Sequence, residues 1–131
     1  MARAYTVATA ALALGTSLKW LDNVLSHNQV PGVAQDRQGV SRRLAVDAFV
    51  VLALAVLLIQ ELGVPTPRAI ALAEDLAKHE GRYVAREGLL NLELDLAPFR
   101  ARLLERLENA VEVAPVPRRG RPPLNKTGRL D

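Results

Sequence analysis

Basic and amide side chains in the first third of the chain have the types and the spacing needed to bind nucleic acid. Lys19 and Asn23 are four positions apart, about one turn of a helix, so both would project from one side. An asparagine amide can form paired hydrogen bonds with an adenine edge, and a lysine can bind guanine or phosphate. Arg37, Arg42 and Arg43 add guanidinium groups suited to phosphate oxygens. The alternative for Lys19 and Asn23 is an ordinary solvated helix face.

A second basic cluster lies near the end of the chain, where the composition shifts to proline, arginine and glycine from Ala114 onward. The run Arg118-Arg119-Gly120-Arg121-Pro122 resembles the AT-hook, a short extended element whose core is Arg-Gly-Arg-Pro. In such an element the glycine lets the backbone lie on the floor of the minor groove, and the arginines spread along A·T pairs. The alternative is a disordered basic tail that binds phosphate without sequence preference. Both interpretations predict DNA contacts by Arg118, Arg119 and Arg121.

Other reactive side chains form no recognisable catalytic or metal-binding pattern. The chain has no cysteine, which excludes disulfides, thiolate ligands and cysteine nucleophiles and is typical of an intracellular protein. His27 and His79 lie far apart in the sequence and are interpreted as helix-end residues, and Ser17 has no neighbouring base. We therefore expect no enzymatic activity, no metal and no cofactor.

Charge is distributed unevenly along the 131 residues, whose formal net charge is +3. Residues 1–60 carry five basic and three acidic side chains, residues 61–113 carry seven and ten, and residues 114–131 carry five and one. Both ends should therefore attract phosphate, whereas the middle should not. The excess of arginine over lysine, 14 to 3, together with the many alanines and leucines, suggests a GC-rich bacterial genome.

One apolar run, Leu44–Ile59, has to be weighed as a membrane span. A span needs about 20 apolar residues, and this run is shorter and contains Asp47. The N-terminus also lacks the charged region and cleavage site of a signal peptide. We therefore interpret Val46–Leu62 as the buried central helix of a small domain, ended by Gly63. No membrane association is expected, and the predicted location is cytoplasmic and nucleoid-associated.

Two short helices joined by a tight turn are predicted to position the lysine and the asparagine. Good helix formers favour a first helix over Val7–Leu14, which Gly15 would end in a left-handed conformation. Ser17 would cap a second helix, Ser17–Ser26. In that helix the apolar spacing predicts a buried stripe of Leu18, Leu21 and Leu25. The polar residues predicted to face outward are Lys19, Asp22, Asn23 and Ser26.

A β-hairpin is predicted to carry the three arginines that follow. Pro31-Gly32 breaks the chain, and two short extended pieces, Gly32–Ala34 and Val40–Arg43, flank a polar turn at residues 35–39. This hairpin would form a basic wing beside the second helix.

The second half of the chain is predicted to add two helices and another hairpin. Thr66 would cap a helix with Pro67 at its first position, running to about His79. Tyr83–Ala85 and the alternating leucines of Leu90–Leu96 would pair as strands.

The last helix is predicted from Pro98 to about Glu112. Its apolar face would consist of Phe99, Leu103, Leu107 and Ala110. Because a lone hairpin is marginal in water, we expect this face to dock onto the preceding hairpin or onto a second copy of the chain.

Residues 5 to about 78 together resemble the MerR-type and excisionase-type winged helix-turn-helix family. The motifs that carry the resemblance are Tyr5-Thr6-Val7, Gly15-Thr16-Ser17, Gly39-Val40-Ser41-Arg42-Arg43-Leu44 followed by Asp47, and Leu62-Gly63-Val64. The resemblance implies that Ser17, Lys19 and Asn23 belong to a recognition helix in the major groove. It also implies that Arg37, Arg42 and Arg43 belong to a wing that contacts the backbone or the minor groove.

This chain departs from the family pattern in the recognition helix and after it. Leu21-Asp22-Asn23-Val24 stands where the family usually has Leu-Arg-aromatic-aromatic, so a phosphate-binding arginine is lost and a carboxylate is gained. Asp22 would repel phosphate, although a carboxylate can accept from a cytosine amino group. The effector-binding or long coiled-coil extension of typical MerR regulators is replaced by residues 82–112.

The sequence thus predicts a mainly α fold with two small β-hairpins, a winged helix-turn-helix followed by a β-hairpin and a C-terminal helix. Three units are predicted. Residues 1–80 form the winged helix-turn-helix domain, residues 81–113 form a hairpin and a helix for packing or dimerisation, and residues 114–131 form a disordered basic tail. The predicted function is that of a sequence-specific regulator of transcription that binds double-stranded DNA as a homodimer. The alternative is a protein-interaction module, such as an antitoxin or adaptor. A small-molecule sensor is a third alternative, for which no polar anchor is apparent.

Overall fold

The computed structural model of the chain describes residues 4–34, 42–79, 82–87 and 90–113. Helices dominate this part of the chain, as the composition predicts. The helices are α1 (Val7–Leu14), α2 (Leu18–His27), α3 (Val46–Leu62), α4 (Thr66–Leu76) and α5 (Leu96–Val113). The strands are β1 (Ala4–Thr6), β2 (Val33–Ala34), β3 (Arg43–Ala45), β4 (Arg82–Glu87) and β5 (Leu90–Asp95).

The first sheet has three antiparallel strands in the order β1-β3-β2. The predicted pairing of β2 with β3 is present, with Ala34 opposite Arg43, and the intervening residues 35–41, which include Arg37, lie outside the described residues. The prediction of a simple hairpin was wrong in one respect, because β1 adds a third strand. Tyr5 of β1 pairs with Leu44, and both side chains are buried. A strand of three residues is too short to show the alternation by which strands are recognised in a sequence.

Capping residues set both ends of α1 and the start of α2, and Gly15 and Ser17 have the roles predicted for them. Thr6 caps α1 by accepting a hydrogen bond from the Thr9 amide at 3.1 Å. Gly15 ends this helix with φ +73°, the left-handed conformation that glycine adopts without steric cost. Ser17 then accepts a hydrogen bond from the Trp20 amide at 3.0 Å and begins α2.

The buried side of α2 consists of Leu21, Val24 and Leu25. Leu18 was predicted to belong to this stripe, but 53 % of its surface is exposed. The buried face is centred between Leu21 and Val24, so Leu18 lies at its margin and in the first turn. The helix is therefore rotated slightly from the orientation that the leucine spacing indicated.

Helix α3 is the central element, as predicted, and ends at Gly63 with φ +66°. Residues from Ala48 to Val56 are all buried, with Phe49, Leu52 and Ala48 fully so. Because α3 is buried on most sides, its sequence is an apolar run with almost no polar face. Within the described ranges, no helix of the chain has the length and apolar character needed to cross a membrane.

Helix α4 begins without the predicted threonine cap. Pro65 has the extended geometry of a capping residue, with φ −58° and ψ 144°, so Thr66 is already the first helical residue. Pro65 has no side-chain acceptor, so the helix begins without a side-chain capping hydrogen bond. The prediction for Thr66 was therefore wrong by one position, because the proline before it already supplies the turn into the helix. The helix also ends earlier than predicted, at Leu76.

Helix α5 packs back onto the first part of the chain. Its buried residues are Leu96, Leu103, Leu107 and Ala110, and it lies mainly against α1 with further contacts to α3 and β4. Because α1 covers most of this face, the hairpin covers it only in part, through β4, and contact with a second copy of the chain stays a prediction. Leu96, predicted as the end of a strand, is the first residue of this helix.

A guanidinium group joins α5 to the end of α4. Arg100 Nη2 donates hydrogen bonds to the carbonyl oxygen of Ala77 at 2.5 Å and to that of His79 at 2.7 Å. Carbonyl groups at the end of a helix have no partner within the helix, and the helix dipole favours a cation there. Arg100 therefore both caps α4 and fixes the position of α5.

Replacement of Arg100 by alanine should lower the free energy of unfolding by about 1–3 kcal/mol, since two hydrogen bonds from a charged donor are lost. Urea denaturation measures this difference. Arg102→Ala, at an exposed position of the same helix, is the matched control and should change stability by less than about 0.5 kcal/mol. Equal effects of the two substitutions would show that the contact between α5 and α4 contributes nothing.

Candidate nucleic-acid interface

One side of α2 packs against the core, and the residues on the opposite, outward face are polar. Lys19, Asp22, Asn23 and Ser26 are all exposed, as predicted. They line an open depression along the helix together with Ser17, Trp20 and His27. Lys19 and Asn23 are separated by one helical turn, so their ammonium and amide groups are available from the same side.

Arg42 lies directly before β3 and reaches α2. Its Nη1 donates to Asp22 Oδ1 at 2.7 Å, and its Nη2 donates to Ser26 Oγ at 3.2 Å. The Arg42 side chain is 20 % exposed and that of Asp22 is 59 % exposed. The carboxylate that was expected to repel phosphate therefore has a guanidinium partner from the sheet.

Arg43 is exposed on β3, the central strand of the first sheet. It pairs with Thr6 on one side and with Ala34 on the other. The next residue, Leu44, is fully buried, so the strand is anchored in the core immediately beside this cation. A fixed backbone and a free guanidinium group suit contact with a phosphate.

The structure brings part of the predicted site together. Lys19, Asn23 and Ser17 lie on or at the start of α2, and Ser17 uses its hydroxyl oxygen as the helix cap. Arg42 directly precedes β3 and hydrogen-bonds to α2, and Arg43 is the first residue of the strand. The remaining predicted residues, Arg37, Arg118, Arg119 and Arg121, lie outside the described residues.

Two features of this surface were not predicted, namely the ion pair of Asp22 with Arg42 and the role of Ser26. Asp22 and Ser26 have helical spacing, which indicates that they share a face. No spacing in the sequence connects them with Arg42, which is far along the chain and on a different element.

His27 is the last residue of α2, as predicted, whereas His79 lies three residues beyond the end of α4. His27 Nδ1 is 2.9 Å from the carbonyl oxygen of Asn23, and His79 Nδ1 is 3.2 Å from that of Asp75. Each ring thus bonds to a carbonyl one turn earlier in the chain. Among the residues that the structure describes, no group of three His, Cys, Asp or Glu side chains could hold a metal ion.

Comparison of the chain with protein-family models, with curated proteins and with solved structures gives no match in any of the three.

Proposed function

We propose that the protein binds double-stranded DNA sequence-specifically, through the outward face of α2 and the adjacent start of β3. The observation that carries this proposal is the placement of Lys19 and Asn23, exposed together on a short helix whose other side is buried, with Arg43 exposed on the neighbouring sheet. A helix of this kind fits the major groove of B-DNA. The α1–turn–α2 unit would then be the helix-turn-helix, and β2 and β3 would form the base of the wing.

Each side chain has a proposed role that follows from its chemistry. Asn23 would form paired hydrogen bonds with an adenine, and Lys19 would bind guanine or phosphate. Arg43 would contact a phosphate or a narrow minor groove. Ser17, at the start of α2, would lie near the backbone, where helix amide groups favour phosphate.

Regions outside the described residues would add affinity. Arg37 would extend the wing, and Arg118, Arg119 and Arg121 would bind the minor groove or the backbone. Acting as a homodimer, the protein would place two copies of α2 about one turn of DNA apart, which predicts a palindromic target and a role as a transcription regulator.

The test is to select bound duplexes from random DNA and to measure binding by fluorescence anisotropy at several salt concentrations. Asn23→Ala should weaken binding to the selected site by about 1–3 kcal/mol and leave binding to a random duplex nearly unchanged, because a base contact is lost. Arg43→Ala should weaken binding to both and reduce the salt slope by about 0.9, because a phosphate contact is lost. Removal of residues 114–131 should reduce the slope further.

Arg102→Ala on α5 removes one exposed cation and serves as the control, with binding expected to stay close to that of the wild type. A wild-type protein that binds no duplex at low salt would refute the proposal. So would binding that is insensitive to Arg43→Ala and to loss of the tail.

A protein-interaction module is the second candidate, and the surface of α5 favours it. Leu104 and Val111 are seven residues apart and therefore share a face, on which they are 44 % and 37 % exposed. Leu12 of α1 is also 49 % exposed. Recovery of a stable complex with another protein from the native cell, with no DNA binding by the purified chain, would favour this candidate.

A further inference from the structure

The guanidinium group of Arg42 is held by acceptors on two successive turns of α2. Besides accepting from Arg42, the Ser26 hydroxyl donates its own hydrogen to the backbone carbonyl oxygen of Asp22 at 2.9 Å. The hydroxyl hydrogen is therefore directed away from Arg42, and an oxygen lone pair remains for the guanidinium group. Asp22 Oδ1 supplies the charged acceptor at 2.7 Å. The acceptors for Arg42 are thus fixed by α2 itself.

This arrangement separates two adjacent arginines into different roles. Arg43 is exposed and free to meet a polyanion, whereas the Arg42 side chain is four-fifths covered and its charge is matched by a carboxylate. To contact a phosphate, Arg42 would have to break its charge-assisted hydrogen bond to Asp22, and such bonds are stronger than those between neutral groups.

We propose that Arg42 is a positioning residue of the DNA interface and not a phosphate contact. It neutralises Asp22 and holds the start of β3 against α2, so that a carboxylate can stand beside Lys19 and Asn23 without repelling DNA. Because Arg42 engages Oδ1 and Asp22 is 59 % exposed, the carboxylate can also accept a hydrogen bond from the amino group of a cytosine. Asp22 is then a specificity-determining residue. This inference rests on the proposed DNA-binding function.

The decisive measurement is the salt dependence of binding to a random duplex. The double substitution Asp22→Asn with Arg42→Gln removes the ion pair and leaves the net charge unchanged. If Arg42 contacts no phosphate, this variant should keep the wild-type salt slope to within about 0.3, because no counterion release is lost. Asp22→Asn alone frees Arg42 and should steepen the slope by about 0.9 while tightening binding.

Matched variants separate this effect from a general change in charge. Arg43→Gln should reduce the slope by about 0.9, as expected for a phosphate contact. Asp75→Asn, at an exposed position of α4, removes one carboxylate as Asp22→Asn does and should leave the slope close to that of the wild type. Thermal unfolding of each variant establishes that it is folded.

Specificity provides a second readout. Duplexes selected from random DNA by the wild type should show a cytosine preference at one position, and those selected by Asp22→Asn should have lost it. A slope reduced by about 0.9 in the double variant would identify Arg42 as a phosphate contact and overturn the inference. A cytosine preference retained by Asp22→Asn would overturn the role of Asp22. Absence of any DNA binding by the wild type would refute the proposed function itself, an outcome distinct from these two.

Discussion

Replacement of Leu107 by alanine is expected to lower the free energy of unfolding by about 2–5 kcal/mol. Leu107 is fully buried in α5, which packs against α1. Truncation would leave a cavity that a helix–helix interface fills only partly, so both the transfer free energy and the lost contacts contribute. Because α1 precedes the turn into α2, this cavity would loosen the support of the proposed interface as well as α5. Urea denaturation followed by circular dichroism measures the difference.

Leu104→Ala is the matched control for this experiment. Leu104 is on the same helix, and 44 % of its surface is exposed, so its truncation should cost less than about 1 kcal/mol. Similar effects of the two substitutions would mean that α5 does not pack on α1 as described. In that case the apolar face of the last helix would need another partner, such as the hairpin or a second copy of the chain.

Gly32→Ala is expected to destabilise the fold by about 2–5 kcal/mol, for two reasons. Gly32 has φ +91°, a conformation that costs a residue with a side chain about 1–2 kcal/mol. A Cβ atom there would also lie 3.2 Å from both the Cβ and the amide nitrogen of Ala48, which is fully buried in α3. Relief of this contact requires movement of packed backbone, which adds about 1–3 kcal/mol.

Gly15→Ala separates the two contributions. Gly15 has φ +73°, but a Cβ atom there would meet nothing within 4 Å, so only the conformational cost of about 1–2 kcal/mol applies. The difference between the two variants in thermal or urea unfolding measures the packing of Gly32 against α3. Gly32 also accepts a hydrogen bond from the Ala45 amide at 2.9 Å, so its displacement should shift β3 and its arginines. Equal destabilisation by the two substitutions would show that this close approach is absent.

The elements of this fold that were predictable are those with strong local signals. The ends of α1 and α3 coincide with glycines in left-handed conformations, and Ser17 caps α2 as its position indicated. The polar face of α2 follows from helical spacing, whatever that helix packs against. Where neighbouring residues gave competing local signals, the predicted position of a cap or of a buried face was slightly wrong. Thr66 followed Pro65, which holds the N-cap position without a side-chain acceptor, and Leu18 lay at the margin of the stripe.

The sequence by itself determined which polar residues of α2 face outward, and therefore that Lys19 and Asn23 would be presented together. Only the tertiary structure decided that Arg42 would neutralise Asp22 beside them, and that α5 would cover α1. The physical reason is that helix periodicity, capping and glycine geometry act over a few residues and leave a repeating trace in the sequence. An ion pair between a strand and a helix, or contact between the first helix and the last, joins residues far apart in the chain. Periodicity shows which face of an element is buried, but it does not show which distant element covers that face.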